Sequence, residues 1–227
     1  FLPPTGQNPP GATRGLARRR ALAAVARARD ALVVEDDVFT HLHSHERPAL
    51  ATLAPERVFY VASLSKTVSP GLRVGALVVA ALWLDATRAT LRGAGQIAGA
   101  IDCAVMEEWT RDGEAGRLSE AVAGELAARQ ALAATILGAA VVRPALPGPH
   151  LWAPMPLARA QAVAALAAAQ GVIVTPPEAV SVDEAGENGL RICLGAVERP
   201  ALEAGLAILR RCLDQAPAAT SDLRAAL

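Results

Sequence analysis

The chain has 227 residues, enough for one large domain or for a domain with a smaller companion, and hydrophobic residues make up 52% of it. Aromatic residues are only 3%, so we expect a core built from Ala, Leu and Val. The formal net charge is zero, which gives no electrostatic argument for nucleic-acid or membrane binding by these residues. Three separated cysteines without a CxxC pair predict free thiols in a reducing, cytoplasmic setting: Cys103, Cys193 and Cys212.

The start of the chain has no initiator Met, and Phe1 to Pro4 resembles the end of a strand that enters a loop. We therefore expect the chain to be part of a longer protein. A turn-rich stretch follows at Gln7 to Gly11, and we expect Thr13 to cap a helix that runs to about Asp30. Its arginines form either a phosphate-binding patch or a solvated helix face. The solvated face is favoured because interleaved aromatics and net positive charge are lacking: Arg14, Arg18, Arg19, Arg20, Arg27 and Arg29.

Acidic residues end the first predicted strand. Ala31 to Val34 is a short apolar run that predicts a buried parallel strand, and Glu35-Asp36-Asp37 follows it directly. Ligands of open α/β sheets bind beyond the carboxyl ends of strands, so these acids are either a site or an ordinary solvated strand end. His41, His43 and His45 alternate in the next loop. We predict no metal site there, because no further Cys or His ligand is nearby.

The only lysine of the chain, Lys66, follows the second predicted strand, Arg57 to Ala62. A deprotonated lysine can form a Schiff base with a carbonyl and an arginine cannot, although coding bias alone can also leave one lysine. Pro70-Gly71 makes a turn into a third predicted strand, Arg73 to Ala80. An acid, an amine, hydroxyls and a guanidinium thus meet at one sheet edge. This set suits a ligand with a carbonyl, a basic nitrogen and a phosphate.

The second half of the chain changes pattern. Two helical stretches, about Asp85 to Arg111 and Glu114 to Leu137 with a capping-like Ser119, are predicted to lead into a smaller α+β domain. Arg191 interrupts one of its otherwise apolar strands, and a buried arginine needs either an internal acid or an external carboxylate. The predicted strands and helices of this domain are Val141-Val142, His150–Trp152, Val172–Val174, Leu190–Leu194, Leu157–Gln170 ending at Gly171, and Pro200–Leu213.

Four segments, in this order, resemble the fold-type I pyridoxal-phosphate aminotransferases of class I/II: Gln7–Gly11, Val34–Phe39, Ser63–Gly75 and Leu190–Leu194. The subtype looks like the aminotransferase-like domain of MocR-type regulators, a GntR subgroup, on three stretches: Ser65–Gly75, Gly148–Trp152 and Leu190–Gly195. In that family a helix-turn-helix domain, absent from these residues, precedes this one and binds DNA. Stand-alone aminotransferases of the aminoadipate and kynurenine type share most of the motifs.

The resemblance implies a fold and a cofactor. It implies an α/β architecture, with part of a mostly parallel large-domain sheet covered by helices on both faces and a smaller α+β domain at the C-terminus. The expected boundaries are residues 1–112 for the large-domain part, 113–138 for a connecting helix, 139–215 for the small domain and 216–227 for the tail. Pyridoxal 5'-phosphate is the implied cofactor, in a homodimer that binds an amino acid or another carboxylate-bearing amine.

The resemblance also implies a role for each matching residue. Lys66 would form the internal aldimine and later shuttle a proton. Asp36 would keep the pyridine nitrogen protonated, so that the ring is an electron sink. Asn8 would hydrogen-bond the phenolic oxygen, and Arg191 would bind the substrate carboxylate. The phosphate ligands would be Ser63, Ser65 and Arg73.

The chain also departs from the family pattern at several positions. Val38 and Phe39 stand where the family commonly has a tyrosine that donates to the phenolic oxygen, and Pro10 replaces a threonine. The family's phosphate-binding turn and ring-stacking aromatic come from strands that precede Phe1. Three hypotheses follow: a cofactor-binding effector domain of a regulator, an aminotransferase, and a truncated relative that binds no cofactor. The motif subtype favours the first.

Overall fold

The computed structural model describes residues 1–42, 47–95, 98–180 and 188–217. The chain divides into two compact units, one formed by residues 1–7 and 12–124 and the other by residues 8–11 and 125–227. His43 and His45 of the predicted histidine loop lie outside the described residues, as does most of the predicted tail. Within the described part, no group of three His, Cys, Asp or Glu side chains could hold a metal ion.

The first unit contains a three-stranded sheet in the order β1-β2-β3, with β1 at Val33–Asp36, β2 at Val58–Ser63 and β3 at Gly75–Val78. β1 and β2 are parallel, as predicted, whereas β3 runs antiparallel to β2. Leu2 adds a parallel bridge to β1. β1 is buried on one face only, since Val34 is exposed while Glu35 is buried. A small apolar cluster packs below the sheet: Ala23, Leu50, Ala54 and Val58.

The helices of this unit are α1 (Leu16–Ala28), α2 (Leu50–Leu53), α3 (Leu84–Gly93), α4 (Ala100–Arg111) and the first half of α5 (Glu114–Leu137). The single helix predicted from about residue 85 to 111 is wrong. It is two helices, because the chain leaves α3 at Gly93 and Gly95 adopts a left-handed φ of +66°.

The hydroxyls of Thr13 and Ser119, predicted to cap helices, bind other backbone groups. Gly15, without a side-chain cap, precedes α1, and the Thr13 hydroxyl instead accepts a hydrogen bond from the Gly6 amide at 3.0 Å. Ser119 lies inside α5, where its hydroxyl donates to the Ala115 carbonyl at 2.8 Å. Both side chains therefore satisfy local backbone groups, as short polar side chains commonly do.

The second unit is built on an antiparallel pair, β4 (His150–Pro154) and β5 (Gly189–Cys193). Isolated bridges widen this pair on both sides, Val142 to Trp152 and Thr175 to Arg191. The predicted strand at residues 172–174 is thus reduced to the bridge at Thr175. The helices are the second half of α5, α6 (Leu157–Ala168) and α7 (Arg199–Gln215), with Pro200 in the first turn of α7.

Alternation along β4 and β5 separates a core face from a polar face. Leu151, Ala153, Leu190 and Ile192 enter one apolar cluster with α5, α6 and α7. Arg191 lies on the opposite face, directly across from Trp152. Such alternation explains how a charged residue interrupts an apolar strand without entering the core.

All three cysteines are free thiols, with Cys103 and Cys193 exposed and Cys212 buried. None of the described helices has both the length and the apolar character needed to cross a membrane.

Candidate functional site

The sheet of the first unit gathers polar residues at one edge. Because β1 and β2 are parallel, both end at this edge, and the antiparallel β3 begins there. Asp36 is the last residue of β1 and pairs with Val61, while Ser63 is the last residue of β2 and pairs with Gly75. Val61 and Ser63 are two positions apart, so Asp36 and Ser63 share one face of the sheet.

Lys66 lies on a tight turn that follows β2. The carbonyl of the buried Leu64 accepts hydrogen bonds from the backbone N–H groups of three later residues, at 3.2, 2.8 and 3.2 Å: Thr67, Val68 and Ser69. This turn fixes the backbone on both sides of Lys66, whose side chain is exposed. Among the described residues the Lys66 ammonium has no ion pair and no hydrogen bond, so its amine is open to a ligand.

Two hydroxyls and a guanidinium surround the same turn. The Ser63 hydroxyl lies 2.9 Å from the Ser65 hydroxyl, accepts the Ser65 amide at 3.1 Å and lies 3.2 Å from the Val74 carbonyl. Arg73 is exposed, and with the residues that the structure describes its guanidinium makes one long contact, 3.4 Å to the Pro70 carbonyl. Hydroxyl and guanidinium donors close together are the groups that bind a phosphate.

The three acids at the end of β1 have different surroundings. Asp36 is half-buried, and within the described part of the chain its carboxylate accepts a single long contact, 3.5 Å from the Val38 amide. Glu35 and Asp37 are buried on the opposite face. The Glu35 carboxylate accepts the amides of Leu50 and Ala51 at 2.8 and 2.9 Å. Asp36 is therefore the one of these three acids that is accessible, while Glu35 and Asp37 are part of the interior.

Arg19, predicted to lie on a solvated helix face, is buried, and the prediction is wrong for this residue. Its guanidinium lies 3.7 Å from Glu35 and donates to the Thr5 hydroxyl at 2.8 Å. Its other donors reach the carbonyls of Arg14 and Pro48 at 3.0 and 3.3 Å. Burial of the Glu35 carboxylate raises its pKa, and this effect outweighs the lowering by the Leu50 and Ala51 amides and by the Arg19 charge.

Tyr60 is the cross-strand partner of Glu35 and so lies on the buried face with it. Burial, followed by the charge of Asp37, raises the pKa of Tyr60 to about 12. Tyr60 is consequently on the face opposite Asp36 and cannot stand in for the tyrosine that Val38 and Phe39 replace.

The second unit brings together the two other predicted site residues. Arg191 Nη1 donates to Asn8 Oδ1 at 3.1 Å, although 183 positions separate them in the chain. A guanidinium only donates hydrogen bonds, so the Asn8 oxygen faces Arg191 and its amide NH₂ remains for a ligand acceptor. The sequence-predicted residues therefore form two groups, one in each unit: Asp36, Ser63, Ser65, Lys66 and Arg73 in the first, Asn8 and Arg191 in the second.

Comparison with known proteins decides the family. A sequence model described as "Aminotransferase class I and II" matches residues 5–209. The chain belongs to this family. The 2-aminoadipate transaminase of Thermus thermophilus is 29% identical over 224 residues, which cover 94% of this chain and 56% of that protein. The HTH-type transcriptional regulator TauR of Rhodobacter capsulatus is 45% identical over 85 residues, which cover 36% of this chain and 17% of TauR.

A solved aminotransferase has the same fold. LysN, the alpha-aminoadipate aminotransferase of Thermus thermophilus complexed with N-(5'-phosphopyridoxyl)-L-leucine, matches with a TM-score of 0.83 and 27% identity. The match covers 94% of this chain and 58% of LysN, so the chain spans little more than half the length of that relative. The predicted α/β aminotransferase fold is confirmed, and the family implies pyridoxal phosphate as the cofactor.

The donor set of the first unit fits that cofactor. Ser63, Ser65 and Arg73 have the chemistry for its phosphate, Lys66 is an exposed amine, and Asp36 is a carboxylate without a cationic partner among the described residues. Sequence reasoning missed the buried Arg19, Glu35 and the Thr175 contact to Arg191. The acidic run at the end of β1 was the one sequence signal for any of these residues. Which face of a strand is buried depends on the elements that pack against it, and the local sequence does not show them.

Proposed function

We propose that this chain is the pyridoxal-phosphate-binding, aminotransferase-like domain of a MocR/GntR-type transcriptional regulator, and that it binds an amino-acid-like effector. The observation that carries the proposal is the exposed amine of Lys66 at a sheet edge that also presents Asp36, Ser63, Ser65 and Arg73. A regulator is favoured over an enzyme by the motif subtype and by the 45% identity to TauR within the matched residues.

Each residue has a task in this proposal. Lys66 Nζ would hold the cofactor covalently and, once released, would move a proton at the α-carbon of the bound amino acid. The Asp36 carboxylate would hold a proton on the pyridine nitrogen. When bound, pyridoxal phosphate supplies the electron sink for negative charge at that α-carbon. Ser63, Ser65 and Arg73 would anchor the phosphate end and so orient the reactive end toward Lys66.

Two residues of the second unit also have a task in the proposal. Arg191 would hold the effector carboxylate, and the Asn8 NH₂ would donate to the phenolic oxygen of the cofactor. A homodimer, DNA binding through a separate helix-turn-helix domain and a cytoplasmic location belong to the same proposal, as do the domain boundaries given above.

A stand-alone aminotransferase is the second candidate, because the 2-aminoadipate transaminase matches 94% of this chain. Such an enzyme would move an amino group between an amino acid and a 2-oxo acid. Both candidates use the same cofactor-binding residues, so they differ in turnover rather than in cofactor binding.

Turnover distinguishes the two candidates. The protein loaded with pyridoxal phosphate is given each common amino acid together with 2-oxoglutarate, and product 2-oxo acid is counted per protein molecule. We expect a saturable change in the visible spectrum and no more than about one product per cofactor, because an effector site needs no repeated exchange. Sustained turnover would establish the aminotransferase instead, and no spectral response to any amino acid would support a relative that binds no effector.

A further inference from the structure

Thr175 is fixed beside Arg191 by the backbone. The Thr175 amide donates to the Arg191 carbonyl at 3.1 Å, and the Arg191 amide donates to the Thr175 carbonyl at 3.3 Å. Two residues that exchange both hydrogen bonds are a directly opposed antiparallel pair, and their side chains lie on the same face. Trp152 opposes Arg191 from the other side in β4. The Thr175 hydroxyl is thus held at a fixed position next to the arginine side chain.

The hydroxyl of Thr175 binds one edge of the Arg191 guanidinium. Arg191 Nε and Nη2 lie 3.3 and 3.1 Å from Thr175 Oγ1, and Nη1 lies 3.1 Å from Asn8 Oδ1. A guanidinium has five N–H groups. These three contacts use one on each nitrogen, which leaves one N–H on Nη1 and one on Nη2.

Both partners of the guanidinium are neutral. Among the described residues no carboxylate forms an ion pair with Arg191, so its positive charge is not compensated there. These neutral acceptors fix the direction of the Arg191 guanidinium and leave its positive charge for a ligand. One N–H on each terminal nitrogen remains for a ligand, and a carboxylate, with two oxygens and a negative charge, suits these donors. A carboxamide offers only one oxygen and no charge.

We propose that Thr175 is a positioning residue, whose hydroxyl orients Arg191 so that the site selects a free carboxylate over a carboxamide. The inference rests on the proposed function, in which Arg191 binds the carboxylate of the effector. It adds to that function the residue that orients the Arg191 guanidinium toward the carboxylate.

The test compares Thr175→Val, which keeps the shape and the β-branching of threonine but lacks the hydroxyl, with Thr175→Ser, which keeps the hydroxyl. Protein loaded with pyridoxal phosphate is titrated with the tightest-binding of the common L-amino acids and with the carboxamide of that amino acid, and the spectral change gives each Kd. We expect Thr175→Val to weaken binding of the acid by about tenfold and to leave binding of the amide unchanged. Thr175→Ser should retain the preference of the wild type.

The possible results distinguish a failure of the Thr175 role from a failure of the proposed function. A wild-type protein that binds no amino acid, or that binds acid and amide equally, contradicts the carboxylate role of Arg191 and with it the inference. A wild-type preference that persists in Thr175→Val overturns the positioning role alone. Equal weakening of both ligands in Thr175→Val, or loss of the preference in Thr175→Ser, would show that Thr175 supports the strand and does not orient the fork.

Discussion

At the scale of single residues, the neighbours of each cation show what it does. Lys66 and Arg73 are exposed and have no acidic partner among the described residues, whereas Arg19 is buried against Glu35. Arg191 is intermediate, because neutral groups hold its fork. Lys66 and Arg73 are therefore available to a ligand, and Arg19 is structural. Arg191 has a fixed direction and a positive charge that no described acid compensates.

The buried arginine gives a stability prediction. Arg19→Met should lower the free energy of unfolding by about 3 kcal/mol, because it leaves the buried Glu35 carboxylate without a cation. Arg18→Met is the matched control, since Arg18 is the exposed neighbour on the same helix. Urea denaturation of the three proteins measures the difference. Equal stability of the two variants would show that the ion pair with Glu35 contributes nothing to folding.

At the scale of elements, the segment after β5 is tied to α5. Arg129 Nη1 donates to the carbonyls of Leu194 and Val197 at 2.7 and 2.5 Å. Glu125 pairs with Arg129 at 2.6 Å and also with Arg199 at the start of α7. The strand that carries Arg191 therefore continues into a loop that α5 and α7 hold from both sides.

This cluster predicts a dependence of stability on pH. Arg199, followed by Arg129, lowers the pKa of Glu125 from 4.5 to about 2. A carboxylate whose pKa is lower in the folded state contributes its full stability above its ordinary pKa and loses it as pH falls toward the folded pKa. We therefore expect the stability difference between the wild type and Glu125→Gln to be constant above about pH 5 and to shrink between about pH 4.5 and pH 2.

Denaturant titrations of both proteins at stepwise lower pH measure that difference. The carboxylate is partly exposed, so a modest effect is expected and high salt should reduce it. A difference that grows on acidification would mean that Glu125 is destabilising in its charged form.

Local patterns predicted the elements that depend on nearby residues. The bounds of α5, the strand that leads to Lys66 and the strand that carries Arg191 followed from apolar runs and their turn residues. The break between α3 and α4 and the burial of Arg19 did not. The first depended on a single left-handed Gly95, and the second on Glu35, which is distant in sequence. A partner on another element, as Glu35 is for Arg19, leaves no periodic signal in the chain.

At the scale of the whole molecule, the site residues belong to two units that the structure describes separately. The order of the family motifs along the sequence predicted all seven site residues. The structure places five of them at one sheet edge and joins Asn8 to Arg191 by a hydrogen bond. The family and its cofactor follow from the match over residues 5–209. The choice between regulator and enzyme depends on the whole protein, since this chain spans 56% of the aminoadipate transaminase.

The most direct test of the account is the visible spectrum of Lys66→Ala with pyridoxal phosphate, compared with the wild type and with Lys66→Arg. Arginine keeps the positive charge but cannot bind the cofactor covalently, so it separates charge from bond formation. We predict that the wild type shows an absorbance band that depends on the lysine and that both variants lose it. An unchanged band in Lys66→Ala would contradict the assignment of Lys66 as the residue that holds the cofactor.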